Sequence, residues 1–151
     1  MITIEDLKKK QAEPSRLIGL DLGSKRIGVS ICDERQSIAT PFKTIAKTNT
    51  NELIAQLKEI INEYNIKGVI IGNPLNMDGS SGRSAQSVND VSNNIDKAID
   101  IDICLWDERL STVGAFNLSS QLDVNVSKRE KKIDENAAAF ILQGALDFLN
   151  N

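Results

Sequence analysis

The stretch that decides the fold is LIGLDLGSKRIGVSIC, residues 17–32. Its first six residues are apolar except for Asp21, and its last six alternate large apolar residues with small ones, as half-buried strands do. The four residues between them, GSKR, are few enough for a hairpin. We therefore predict two antiparallel strands, with Asp21 at the end of the first.

The segments after this hairpin add a third strand and then alternate helices with strands. Residues 37–45 contain Pro41, which favours an edge strand. There follow a helix opened by the capping pair Asn49 and Glu52, a buried strand at 68–72, a helix from about Arg83, a last strand at 101–106, and helices at 111–120 and 133–149. This order predicts an α/β fold: a mixed five-stranded sheet, made of a three-strand antiparallel meander plus two parallel strands, flanked by helices.

The chain is long enough for one domain, and its beginning differs from the rest. It has 151 residues, of which 40% are hydrophobic. Residues 1–15 are charged and lack the apolar segment of a secretory signal, so we expect a flexible or loosely docked extension there. We place the folded domain at residues 16–151. No run approaches the roughly 18 apolar residues of a membrane span.

The composition limits the chemistry that the chain can perform. There is no histidine, which excludes Ser-His-Asp and Cys-His arrangements and histidine-ligated metals. A hard, oxygen-ligated cation such as Mg²⁺ or Mn²⁺ fits what remains. Cys32 and Cys104 each lie in an apolar run, which predicts buried thiols in a reducing compartment, with the cytoplasm as the expected location. The net charge of -3 is unusual for a nucleic-acid binder, so binding would depend on local basic residues.

Acidic residues at three places could hold such a cation. Asp21 interrupts an apolar run, where a carboxylate is costly to bury unless it is paired or bound to metal; capping the next turn is the alternative. Asp107 and Glu108 follow the last strand, where a solvated acidic turn is the alternative. Asp134 stands at the predicted start of the last helix, where it could instead interact with the helix dipole. The small residues after it would let this turn pack closely on the sheet.

These carboxylates should meet where loops leave the strand ends, as sites do in sheets of this class. Carboxylates drawn together repel one another, and a divalent cation relieves that repulsion while gaining oxygen ligands. Two such ions could hold a scissile phosphate, one activating water and the other stabilising the leaving oxygen.

Basic and glycine-rich segments lie near the same strand ends. Loop 72–82 has glycines and serines suited to close backbone approach, and it precedes Arg83 at a helix start, where N–H groups favour anions. An ordinary mobile loop is the alternative. The residues that we expect to bind substrate phosphates are Lys25, Arg26, Arg83, Arg109 and Lys131.

Together these segments resemble the YqgF/RuvX family, bacterial proteins similar to Holliday-junction resolvases and regarded as nucleases for the 5′ end of precursor 16S rRNA. The matching stretches come in the family's order: GLDLGSKRIGV at 19–29, GNPLNMDGS at 72–80, DERLST at 107–112, and ID with AA and ILQ within 133–143. The resemblance covers roughly residues 16–149. Asn73 and Glu135 depart from the family's pattern.

The resemblance implies a ribonuclease H-like fold and a nuclease of ribosome biogenesis. The family's acidic positions fall on Asp21, Glu108 and Asp134, so these three are implied as both catalytic and metal-binding, with Mg²⁺ or Mn²⁺ as the cofactor. The implied partner is structured RNA, namely precursor 16S rRNA or a pre-ribosomal particle. We expect a monomer or weak homodimer without membrane association.

Two other kinds of function are compatible with these residues. The Asp-x-Gly-Ser-Lys motif also occurs in sugar-kinase, actin and Hsp70-like ATPases, but those need two such domains around a nucleotide. Alternatively, the domain could bind RNA, ribosomal particles or transcription machinery without cutting. A Holliday junction is the alternative substrate for a nuclease.

Overall fold

A computed structural model describes the backbone of residues 1–10, 15–107 and 126–151, and the side chains of residues 1–10, 15–107 and 133–151. Its elements are, in chain order, α1 (Ile4–Lys10), β1 (Leu17–Leu22), β2 (Arg26–Cys32), β3 (Ala39–Ala46), α2 (Thr50–Tyr64), β4 (Gly68–Asn73), α3 (Arg83–Ala98), β5 (Asp102–Asp107) and α4 (Val126–Leu149). The helix predicted at residues 111–120 lies outside the described part. Among the described helices, none has an apolar stretch long enough to cross a bilayer.

The strands form one mixed sheet in the order β3-β2-β1-β4-β5. β1 and β2 are antiparallel, as are β2 and β3, whereas β4 runs parallel to both β1 and β5. This is the predicted meander with two added parallel strands. β3, which contains Pro41, lies at the edge as expected, and the register between β2 and β3 shifts at Val29/Ser30.

Alternation along the strands divides the core into two clusters, one on each side of the sheet. Ile18 and Leu20 of β1 pack on the side of α2 and α3, together with Leu57 and Ile95. The other side faces α4 and α1, where the buried residues are Leu7, Leu17, Cys32, Ile70, Cys104, Ile141, Leu142, Ala145 and Leu146. The two cysteines are buried free thiols, as predicted, and burial raises the pKa of Cys104 to about 12.

The helices on the first side begin and end as their sequences indicate. The side chain of Asn49 accepts a hydrogen bond from the Glu52 backbone N–H at 2.9 Å, which confirms the predicted cap of α2. α2 ends at Asn65, which adopts the left-handed conformation with φ 54°. α3 begins at Arg83, the predicted position.

Ser92 of α3 is a buried polar residue that weakens this packing. Its side chain is fully buried, and its hydroxyl has no hydrogen-bond partner in the described ranges. We expect Ser92→Ala to raise the free energy of unfolding by about 1 kcal/mol, because an unpaired hydroxyl is removed and alanine favours the helix. Urea unfolding would measure this, with Ser87→Ala on the exposed side of the same helix as the control. An equal gain from both variants would show that only helix propensity had changed.

The N-terminal segment, expected to be flexible or loosely docked, is held against the sheet over residues 1–10. Ile2 forms a parallel bridge with Cys104, and its N–H donates to the Ile103 carbonyl at 3.0 Å. Leu7 of α1 is buried, and Lys10 pairs with Asp102 at 2.9 Å. Three apolar residues among the many charges of this segment pack against the core and hold it there: Ile2, Ile4 and Leu7. The domain boundary at residue 16 stays a prediction.

α4 begins earlier than predicted. Residues 127–132 were expected to precede the helix, but the helix already includes them, because lysine, arginine and glutamate favour a helix even without an apolar stripe. Asp134 therefore lies about two turns inside the helix and not at its start. The alternative that Asp134 interacts with the helix dipole at the start of the helix is therefore wrong. Phe140 of this helix is 38% exposed, whereas Leu142 is fully buried.

Candidate active site

Asp21 lies near the carboxyl end of β1, directly opposite Gly28 of β2. Opposed residues of an antiparallel pair point to the same side of the sheet. By alternation, Asp21 shares that side with Leu17, which packs in the cluster that includes α4. The half-buried Asp21 carboxylate therefore lies on the α4 side of the sheet.

Gly28 brings α4 onto the sheet beside Asp21. A Cβ atom built on Gly28 would overlap the carbonyl oxygen of Asp134 and lie 2.5 Å from its carbonyl carbon. Only glycine permits this approach of helix backbone to strand. Because Gly28 is the residue opposite Asp21, the structure brings Asp21 and Asp134 together from distant parts of the chain.

Ser30 and Gly19 continue this close contact one pair further along the two strands. Gly19 lies opposite Ser30, and a Cβ atom on Gly19 would lie 2.8 Å from the carbonyl oxygen of Ala138. The buried Ser30 hydroxyl donates to that same oxygen at 2.7 Å. The alternating small residues of β1 and β2 thus fix the height of α4 above the sheet, and with it the position of Asp134.

Arg26 lies on β2, two positions before Gly28, and pairs with one of these two acidic residues. Its Nε donates to Oδ2 of Asp134 at 2.6 Å. The arginine side chain is 32% exposed and the aspartate 19%, so this ion pair is partly shielded from water. Such a charge-assisted bond is shorter and stronger than a neutral one. Arg26 was predicted to bind phosphate; its pairing with Asp134 was not predicted.

The electrostatics of Asp21 follow from this arrangement. Burial, and secondarily the negative charge of Asp134, raise the pKa of Asp21 to about 6. Desolvation disfavours a carboxylate, and a like charge nearby disfavours it further. A cation bound beside this carboxyl group would stabilise its ionised form, because the positive charge offsets both effects.

Of the two acidic residues predicted after the last strand, the structure describes Asp107 only. Asp107 ends β5 in register with Asn73, and alternation puts it on the side of Ile103 and Leu105, opposite to the side of Asp21. Glu108 lies outside the described residues. Among the side chains that the structure describes, no three acidic or cysteine residues form a group that could hold a metal ion.

The predicted phosphate-binding residues occupy one end of the sheet as far as they are described. β1, β4 and β5 are parallel, so their carboxyl ends share one edge. The exposed Lys25 lies in the turn after β1, and the exposed Arg83 begins α3 after the loop that follows β4. Arg109 and the side chain of Lys131 lie outside the described part.

The loop between β4 and α3 is ordered by its own hydrogen bonds. Asp78 Oδ1 accepts from both the N–H and the hydroxyl of Ser80, at 2.9 and 2.6 Å. Asn76 Nδ2 donates to the Ser80 hydroxyl at 3.1 Å, and Gly79 closes the turn with φ 88°. These bonds make residues 76–80 a closed turn at the end of the sheet that carries Asp21.

The comparison with known families decides the family. A model described as "RuvX: Holliday junction resolvase" matches residues 15–148. The chain belongs to the RuvX family. The matched range contains all eight predicted site residues, among them Asp21 and Asp134.

Relatives within this family match the chain over nearly its full length. A protein of Pelagibacter ubique (strain HTCC1062), named "Putative pre-16S rRNA nuclease", is 78% identical over 151 residues, covering 100% of both chains. A protein of the same name from Chelativorans sp. (strain BNC1) is 44% identical over 149 residues, covering 99% of this chain and 93% of its own.

Solved structures confirm the ribonuclease H-like fold. RuvC of Thermus thermophilus in complex with a Holliday junction substrate superposes with a TM-score of 0.57 at 11% identity, covering 87% of this chain and 93% of that one. A second Thermus thermophilus RuvC structure gives 0.56 at 9% identity, covering 89% and 96%. The predicted fold class is therefore correct.

Sequence reasoning missed the residues that position the site. Ser30 and the Arg26–Asp134 pair were not recognised, although the small residues at Gly19, Gly28 and Ser30 were a readable signal. Three small side chains on one side of a hairpin indicate that another element approaches closely there. No local pattern indicated the partner of Arg26.

Proposed function

We propose that this chain is a divalent-metal-dependent nuclease that hydrolyses phosphodiester bonds at the 5′ end of precursor 16S rRNA in the cytoplasm. The observation that carries the proposal is the convergence of Asp21 and Asp134 beside Gly28, at the end of the sheet that also presents Lys25 and Arg26. The names of the full-length relatives support RNA as the substrate.

The acidic residues fit a hard divalent cation in their chemistry. Carboxylate oxygens are the ligands that Mg²⁺ and Mn²⁺ prefer. Burial, and secondarily the charge of Asp134, raise the pKa of Asp21, so a cation bound beside it would stabilise its ionised form. Asp21 and Asp134 would hold the ion, with Glu108 as the third ligand that the family resemblance implies. When bound, the cation supplies Lewis-acid activation of the phosphodiester and of the attacking water.

The chain's own residues would position the reactants. In the metal-free protein Asp21 carries its negative charge above about pH 6, so the divalent cation should bind more weakly below that pH. Lys25 and Arg26, in and beside the β1–β2 turn, would hold phosphates that flank the scissile bond. The closed turn at residues 76–80 and Arg83 would contact the RNA strand where it passes the end of β4. Water adds to phosphorus and gives up a proton to solvent, the P–O bond to the leaving oxygen breaks, and that oxygen takes up a proton from solvent.

A cleavage assay on precursor 16S rRNA tests this function. We expect the purified chain to cut the 5′ leader with Mn²⁺ or Mg²⁺, and EDTA to abolish the cutting. A four-way DNA junction assayed in parallel separates the substrates, because exclusive cutting of the junction would assign the same site to DNA. Tight RNA binding without cleavage under any of these conditions would replace the nuclease with a binding module.

A further inference from the structure

Arg26 occupies a place at Asp134 that a bound cation would need. Its Nε lies 2.6 Å from Oδ2 of Asp134. Arg26 and Asp134 retain 32% and 19% of their side-chain exposure, so solvent and small ions can reach the pair. A divalent cation bound to either oxygen of this carboxylate would lie close to the guanidinium, and the two positive charges would repel each other.

The charges of this cluster show what Arg26 does without a metal. Asp21 and Asp134 are neighbouring acidic groups, because Asp21 lies opposite Gly28 and the Asp134 backbone packs against Gly28. Arg26 places one positive charge against Asp134 and so limits their repulsion. A divalent cation would do the same with twice the charge, and it would then repel the guanidinium beside it.

We propose that Arg26 changes partner during the reaction: it neutralises Asp134 in the metal-free protein, and it moves to a substrate phosphate once a divalent cation takes Asp134. This inference rests on the proposed function, since it requires both the cation and the phosphate. The planar guanidinium suits both partners, because carboxylate and phosphate each accept its forked N–H groups. The flexible arginine side chain allows the change without moving β2.

A coupling between metal and substrate follows from this exchange. In the absence of RNA, the cation must either displace Arg26 or bind against its positive charge, so Arg26 weakens metal binding. Once RNA supplies a phosphate for the guanidinium, that competition ends, and RNA strengthens metal binding. By linkage, the cation strengthens RNA binding by the same factor. The metal site would therefore fill chiefly when substrate is present.

Binding of Mn²⁺ alone, measured by calorimetry on the full chain at pH 8, tests the exchange without any cleavage. We expect Arg26→Gln to bind Mn²⁺ about fivefold to tenfold more tightly than the parent, while its affinity for RNA falls. Lys25→Gln removes the same charge from the neighbouring exposed position, and we expect it to change Mn²⁺ affinity by less than twofold. Arg26→Lys, which keeps the charge but loses the fork, should lie between parent and Arg26→Gln.

A direct signal comes from the Arg26 Nε–Hε group in ¹H–¹⁵N spectra. In the metal-free protein its proton should exchange slowly with water, and added Mg²⁺ should shift the resonance and speed the exchange.

The outcomes separate this inference from the proposed function. If the parent binds Mn²⁺ and cuts RNA while folded Arg26→Gln binds Mn²⁺ no more tightly than the parent, the exchange is wrong and the nuclease stands. If Arg26→Gln does not fold, Arg26→Lys and the Nε–Hε resonance decide the question. A parent that binds no Mn²⁺ with or without RNA overturns both proposals.

Discussion

Asp21→Asn should abolish RNA cleavage and at the same time make the metal-free protein more stable at neutral pH. Cleavage should fall by about a thousandfold or more, because the substituted side chain no longer brings a negative charge to the proposed cation site. Stability should rise because the same charge is costly in its half-buried place beside Asp134.

The direction of the stability effect follows from the pKa of Asp21. Folding raises it from 3.8 to about 6, so the folded state holds the Asp21 proton more tightly than the unfolded chain does. That favourable contribution is complete below pH 3.8 and is lost as the pH rises through about 6. The full change corresponds to about 3 kcal/mol at most. Asparagine stays neutral at every pH, so the variant does not lose stability as the pH rises.

Thermal and urea unfolding in EDTA, between pH 4 and pH 8, would measure the effect. We expect the Asp21→Asn variant to gain about 1 to 3 kcal/mol over the parent above pH 6.5, with little difference near pH 4. Asp90→Asn on the exposed side of α3 is the matched control and should change neither stability nor cleavage. Mg²⁺ should stabilise the parent more than Asp21→Asn. Full cleavage by the variant would remove Asp21 from the mechanism.

Gly28→Ala should destabilise the protein by about 3 kcal/mol or more, the largest stability loss that we expect from adding a single methyl group. The new Cβ atom would overlap the Asp134 backbone, which cannot turn aside as a side chain could. Either α4 must lift from β2, or the hairpin must bend away from the helix. Both changes strain a close-packed core.

Gly82→Ala is the matched control for this substitution. Its Cβ atom would approach only the Asn76 side chain, at 3.2 Å, and its φ of -88° suits alanine. We expect its unfolding free energy to fall by about 1 kcal/mol or less, because Gly82 is the N-cap of α3 and alanine is a poorer N-cap residue than glycine. In Gly28→Ala, the pKa of Asp21 should also fall towards 3.8, because Asp21 loses burial under α4 and, secondarily, the nearby charge of Asp134. Equal stability of Gly28→Ala and the parent would contradict the close approach of α4.

The sequence predicts those parts of the fold whose signal is local. The alternation in residues 17–32 and Pro41 in the next run suffice for the meander and its edge, and Asn49 with Glu52 suffices for the start of α2. The start of α4 was missed because a polar helical segment has no apolar period to mark it. The specific contacts of residues 1–10, expected to be flexible or loosely docked, could not be predicted because two or three apolar residues among many charges are a weak pattern.

In the candidate site, too, the sequence predicts what a local pattern marks and not what depends on distant contacts. Asp21 could be singled out because an acid within an apolar strand demands an explanation, and the small residues after Asp134 indicated close packing. The pairing of Arg26 with Asp134 depends on where a distant helix lies above the hairpin, and no spacing along the chain encodes it. Glu108 stays a prediction.

Both outer strands of the sheet are shielded from other chains. On β3, Pro41 lacks an N–H group, the register shifts beside it, and Lys43 adds an exposed charge. On β5, the bridge from Ile2 occupies part of the rim. An unprotected edge strand can pair with a strand of a second molecule, and such pairing can lead to β-aggregation. These features should let the protein reach high concentrations without edge-to-edge assembly.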